Sequence, residues 1–264
     1  MLFCFVITEI PFQAGYSDKK AGARLRVLLA VLFVFLAFSG WAQKRVFVHA
    51  QAMDELVIDG DLSEWSGELQ PVSDDDDFSY GIAQDENNIY LALLIQDNLL
   101  QSRAMLEGIS IELDANEKRK KDALFWFPYA DDEVRRALMN EERDRDDPLA
   151  LKRALMERSR GYQVFGFSGV PEGLLAAKNS YGLIAKGMIV DSLAIAFEVV
   201  LAKERWDFNK QSLRMKVEIH ADRSALSKRR GAKASSTVNV LRTRVKAGKA
   251  KREPVSKVLL AVEL

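Results

Sequence analysis

The sequence is poor in the residues that usually carry chemistry. Among its 264 residues there are one cysteine and two histidines. The cysteine, Cys4, lies ahead of the longest apolar run, so the chain beyond that run has no thiol. It can form no disulfide, no thiolate metal site and no cysteine nucleophile. No Gly-x-Ser-x-Gly, His-Glu-x-x-His or P-loop spacing is present. A Ser/His/Asp triad or a haem axial pair would have to use His49 or His220, and neither stands in a supporting motif. These absences point to a non-catalytic protein that needs no cofactor. Also lacking is an apolar run of about 20 residues, the length that crosses a bilayer.

The longest apolar run that is present, Val27 to Phe38, is preceded by Lys19, Lys20, Arg24 and Arg26 and followed by Ser39-Gly40-Trp41-Ala42. A basic stretch, a short hydrophobic stretch and a small-x-small site are the anatomy of a secretory signal peptide. Residues 1–42 are therefore expected to be removed after Ala42, with the mature chain exported to the periplasm or secreted. Met1 to Asp18 fits this anatomy poorly and is a candidate over-extended start.

The net charge of zero conceals a segregation of sign. Gln43 to Leu226 holds 23 basic and 34 acidic residues, whereas Ser227 to Leu264 holds eleven Lys or Arg against Glu253 and Glu263. Lys228 to Arg252, with ten basic residues and no acidic one, is too poor in large apolar side chains to bury a core. It is expected to be a flexible loop between the last two strands.

Between these features, short alternating or β-branched runs recur: 45–50, 55–58, 78–83, 88–96, 108–113, 124–127, 162–166, 182–189, 193–201, 214–220 and 257–262. Asp85-Glu-Asn-Asn88 supplies turn-forming side chains between two of them. Leu193 to Leu201 is apolar at most positions, as a strand covered on both faces should be. The fold class expected is mainly β, a two-sheet antiparallel sandwich over 43–264 as a single domain. Asp131 to Arg160 departs from this pattern. Val134, Leu138, Leu151 and Leu155 recur at helical spacing, and Asp146-Asp-Pro148 divides the stretch into two short helices. It is expected to be an insertion on the outside of the sandwich.

One segment carries a family pattern. Val57-Ile-Asp-Gly-Asp-Leu-Ser-Glu-Trp65 is followed by Asp85-Glu-Asn-Asn-Ile-Tyr-Leu-Ala92, Gln96-Asp97 and Gly108-Ile-Ser-Ile-Glu-Leu-Asp114. In this order the landmarks resemble the family 9 carbohydrate-binding modules and their relatives with a DOMON-like sandwich. The resemblance covers mainly 56–114 and makes Asp59, Gly60, Trp65, Asp85, Tyr90, Asp97 and Asp114 structural landmarks. Asp59-Gly60 suits a turn, Trp65 is large enough to plug one end of the sandwich, and Asp97 and Asp114 suit capping of strand ends. Acidic loops in related modules hold calcium, and Asp74 to Asp77 is the candidate position, although adjacent carboxylates alternate in direction along an extended chain and do not converge unaided.

The resemblance implies an exported domain that binds an extracellular or envelope glycan without acting on it. The alternative is an envelope scaffold or interaction protein on the same fold, without sugar binding. Sugar-binding members hold a saccharide between paired aromatic side chains, and no pair here matches that arrangement. The candidate ligand-binding aromatics are Trp126, Tyr129 and Trp206. In a strand Phe125 and Phe127 share one face while Trp126 takes the other, which leaves two readings for the indole, exposed to a ligand or filling a gap under the helical insertion, as Trp206 has the alternative of closing the core. Export removes nucleic acid as a partner for the basic loop and leaves an anionic envelope surface as its candidate partner.

Overall fold

The computed structural model describes residues 45–53, 56–74, 77–114, 123–141, 149–190, 194–206, 212–223 and 255–264. The leader, the basic loop and two of the four aspartates of the candidate calcium stretch, Asp75 and Asp76, lie outside these residues.

The described residues from Arg45 onward belong to one compact unit and form a two-sheet β-sandwich. The strands, in chain order, are β1 (Val46–His49), β2 (Gln51–Ala52), β3 (Gln70–Pro71), β4 (Phe78–Gln84), β5 (Asn88–Ile95), β6 (Ile109–Asp114), β7 (Ala123–Tyr129), β8 (Gly161–Phe165), β9 (Gly173–Ala176), β10 (Leu183–Val190), β11 (Ala194–Ala202), β12 (Ser212–Ile219) and β13 (Lys257–Glu263). One sheet has the order β1-β13-β12-β6-β7-β8-β9 and the other β10-β11-β5-β4-β2, with β3 paired to β4. Neighbours are antiparallel except for β1 with β13 and β2 with β4, where the incoming chain adds parallel to an existing strand.

Alternation builds the core. Ile109, Ile111 and Leu113 of β6 and Phe125 and Phe127 of β7 face Ile89, Leu91, Leu93 and Ile95 of β5 and Phe197 and Val199 of β11. Phe127 meets Phe197 edge-on at 5.6 Å across the two sheets. On β11 the other parity is buried as well, since Ala196, Glu198 and Val200 lie beneath a second layer. That layer is Met53 and the chain from Leu56 to Leu69, whose Leu56, Ile58, Leu62 and Leu69 pack with Trp65 on Ala83, Tyr90, Ala92 and Val200. Double coverage explains the apolar run from Leu193 to Leu201.

Three local expectations are corrected. Leu56 to Ile58 is irregular chain and not a strand. Leu56 and Ile58 serve the covering layer, not a ladder, and Val57 is exposed. Asn98–Glu107 is a helix, α1, that the strand pattern did not reveal. Its buried residues are Leu100, Gln101, Ala104 and Met105 while Leu99 is exposed, so a buried glutamine and an exposed leucine blur its amphipathic signal. Asp97 accordingly caps this helix and not a strand end, accepting the N–H groups of Leu99 and Leu100 at 2.8 and 2.9 Å. Asp114 closes β6 opposite Arg214, and its side chain lies outside the described residues.

The insertion holds two short helices, α2 (Asp132–Glu141) and α3 (Ala150–Glu157), between β7 and β8. Its charge is not all solvated. Lys152 and Leu155 of α3 are buried, the lysine donating to Gln101 Oε1 of α1 at 2.6 Å and to Asn98 Oδ1 at 3.3 Å. Burial among these neutral acceptors lowers the Lys152 amine below its usual range.

Candidate functional site

Three of the landmarks, Asp59, Gly60 and Trp65, are brought together around one carboxylate. Glu198, fully buried on the outer face of β11, accepts the backbone N–H groups of Asp59 and Gly60 at 3.0 and 2.8 Å and the indole N–H of Trp65 at 2.9 Å. Gly60 takes φ +96° at this turn, a conformation that suits glycine. Trp65 lies so close over β4 that a Cβ on Gly81 would sit 2.8 Å from its ring. Burial pushes the Glu198 carboxyl above its usual range, against the opposing pull of the three donors. Nothing in the sequence singled out Glu198, because its partners lie more than a hundred residues earlier. Asp85 performs a second local task. Its carboxylate accepts the N–H groups of Asn87 and Asn88 and bonds the hydroxyl of Tyr90, whose phenol is pushed up to about 12, first by burial and then by that carboxylate.

The expected exposed indole at Trp126 is not found. Trp126 is 1% exposed, stacks on His220 with ring centres 4.1 Å apart, and donates its N–H to the carbonyl of Glu107 at 3.0 Å. His220 in turn bonds Ser110 Oγ through Nε2 at 2.8 Å, and burial lowers its imidazole below the usual range. Tyr129 is also buried, with the Arg223 guanidinium 5.1 Å above its ring. Trp206 is half-buried and packs edge-on against Phe167 at 6.4 Å. Trp126 and Tyr129 share one buried cluster with Leu124 and Phe165, whereas Trp206 packs against the main core, so the three do not gather into one exposed aromatic site.

The aromatic residue that does reach a cavity is the neighbour of Trp126. A cleft of about 390 Å³ opens where the β7–β8 side of one sheet meets β10, the edge strand of the other. Phe127, Pro128, Tyr162 and Phe197 line it from within the core and are buried, Met156 and Ser159 are half-buried, and Glu157 and Lys186 are exposed. The Tyr162 hydroxyl ties the two sheets together, donating to the Ala185 carbonyl and accepting the Ala185 N–H, each at 3.0 Å. Two residues on, Gly187 directs its own backbone N–H and C=O to the same side, along the open edge of β10. Phe197 lies across Gly187 so closely that a Cβ there would be 2.6 Å from the ring. A short volume rule applies: small-ligand sites run about 300–1,000 Å³, mostly apolar with a few polar groups. This cleft meets it.

Among the described residues no group of three or more His, Asp or Glu is placed to hold a metal ion, and no helix is long and apolar enough to cross a membrane. No known family description and no curated protein matches the sequence. Solved structures that are similar include a family 9 carbohydrate-binding module from Caldicellulosiruptor kristjanssonii in complex with glucose, at 12% identity and a TM-score of 0.37, covering 69% of this chain and 81% of that one. The same module in complex with cellotriose matches at 12% identity and a TM-score of 0.35, over 69% and 79% of the two chains.

Proposed function

We propose that this protein is an exported, non-catalytic carbohydrate-binding module whose ligand enters the cleft at the β10 edge. The observation that carries the reading is the composition of that cleft. A pyranose has an apolar C–H face and a rim of hydroxyls that both donate and accept. Glu157, Lys186 and Ser159 set a carboxylate, an ammonium and a hydroxyl at the cleft for the hydroxyls, and Met156, Ala177 and Ala185 give it an apolar lining for the C–H face, while the Phe127, Tyr162 and Phe197 rings lie buried behind it. The motif resemblance over 56–114 supports the same class of function. The absence of catalytic spacing in the sequence accords with recognition and not turnover.

The test is titration calorimetry with glucose, cellotriose and xylotriose against the wild type and a Glu157→Ala, Lys186→Ala double variant. Binding by the wild type, weakened at least fivefold in the variant, is the expected result. If no sugar of a broad panel binds, the reading is wrong and the scaffold alternative replaces it. Export is part of the proposal. Protein recovered from the periplasm or medium should begin near Gln43, and retention of the full-length chain in the cytoplasm would remove this element.

A further inference from the structure

One long strand edge of the sandwich is only partly covered. β10 has eight residues, whereas the other edge strands β1, β9 and β2 have four, four and two. Every second residue of β10 turns its backbone N–H and C=O away from β11, beginning with Leu183 and Ala185. Those two are occupied from within the chain. Asn179 Nδ2 donates to the Leu183 carbonyl at 2.8 Å, and the Tyr162 hydroxyl serves both the C=O and the N–H of Ala185. Gly187 and Ile189 follow, and nothing among the described residues pairs with their outward groups. The strand is fixed where they stand. A Cβ on Gly60 would lie 3.0 Å from the Gly187 carbonyl carbon on the outer side, and Phe197 covers the same residue from the core. Between Gly187 and Ile189, Met188 is 37% exposed.

From this arrangement we infer that the β10 edge binds a second copy of this chain, strand against strand and antiparallel, across a two-fold axis at Met188. The open groups select that register. Gly187 of each copy faces Ile189 of the other, and two hydrogen bonds in each such pair use every open group. The copy's strand ends at Val190, before it would reach the Tyr162 hydroxyl on Ala185. An axis at Gly187 would instead set Ile189 against the occupied Ala185, and an axis at Ile189 would set Gly187 against chain beyond the strand. The two Met188 side chains meet at the axis. Lys186, the one charged residue of the strand, falls opposite Val190 and about 13 Å from its own copy. The inference does not depend on a sugar entering the cleft.

The scarcity of cysteine makes the register testable. In the full-length chain Cys4→Ser removes the one thiol, and Met188→Cys or Lys186→Cys then supplies a new one at an exposed position. Residues facing each other at the axis stand about 4.5 Å apart at Cα, within disulfide reach, whereas the two copies of position 186 do not. Mild oxidation should link most of the Met188→Cys protein into dimers and about tenfold less of the Lys186→Cys protein. Sedimentation equilibrium of the unaltered chain should show a dimer, with a dissociation constant raised about tenfold by Met188→Lys, which sets like charges side by side at the axis. Thermal midpoints measured alongside should stay at the wild-type value. A wild type still monomeric at about 1 mM overturns the inference. So does equal cross-linking at positions 188 and 186, or a Met188→Lys dimer as tight as wild type.

Discussion

Replacing Glu198 by alanine should destabilise the domain by about 4 kcal/mol, among the largest effects of any single substitution. The carboxylate is fully buried and is the acceptor for three N–H groups that have come from outside the sheet. Removing it strands the Asp59 and Gly60 amides and the Trp65 indole in an apolar layer, and each orphaned donor costs about 1–3 kcal/mol before relaxation. Glu198→Gln should cost less, about 2 kcal/mol, because one amide oxygen still accepts while its NH2 group faces another donor. Urea denaturation measures both. The ionisation has its own signature. Burial raises the folded-state pKa above the unfolded value near 4.5, so the stability tied to it is full below that value. It is lost as pH rises through the folded pKa. Wild type should thus lose stability over this window relative to Glu198→Gln, which has no carboxyl to titrate. A Glu198→Ala protein as stable as wild type would mean that the covering layer does not depend on this anchor.

The anchor also shows what could be seen in the residues beforehand. Asp59-Gly60, Trp65, Asp85 and Tyr90 stand out because each works within a few positions: a turn, a buried ring, a side chain bonded to the next amides. Strand alternation exposes both sheets for the same reason, since a two-residue period is a local property. Glu198 was silent because its function is set by chain 138 and 139 residues away. α1 escaped notice because a buried Gln101 and an exposed Leu99 break the amphipathic rule, the glutamine being satisfied by the Ile95 and Gln96 carbonyls. The cleft was hidden for a different reason. It is assembled from β7, β8, β10, β11 and the insertion, and one of its key residues, Gly187, contributes by lacking a side chain.

Trp126→Ala should cost about 3–5 kcal/mol of stability and should not act chiefly through a ligand. Period-two alternation places Phe127 on the cleft side of β7 and Trp126 on the opposite face. There the indole fills the seam between the end of α1, the start of β6 and the end of β12. It lies directly over Gly108, where a Cβ would be only 2.1 Å from Nε1 and where φ is +91°. Alanine leaves a cavity of nearly a whole indole, unstacks His220 and orphans the Glu107 carbonyl. Trp126→Phe keeps most of the apolar volume but loses the indole hydrogen bond, so a cost of about 1–2 kcal/mol is expected. The discriminating measurement pairs stability with binding. Trp126→Phe should leave cellotriose affinity within about twofold of wild type, since the side chain lies on the far side of the strand from the cleft. A large loss of affinity in a Trp126→Phe protein that remains as stable as wild type would move the sugar site to the Trp126 face and remove it from the β10 edge.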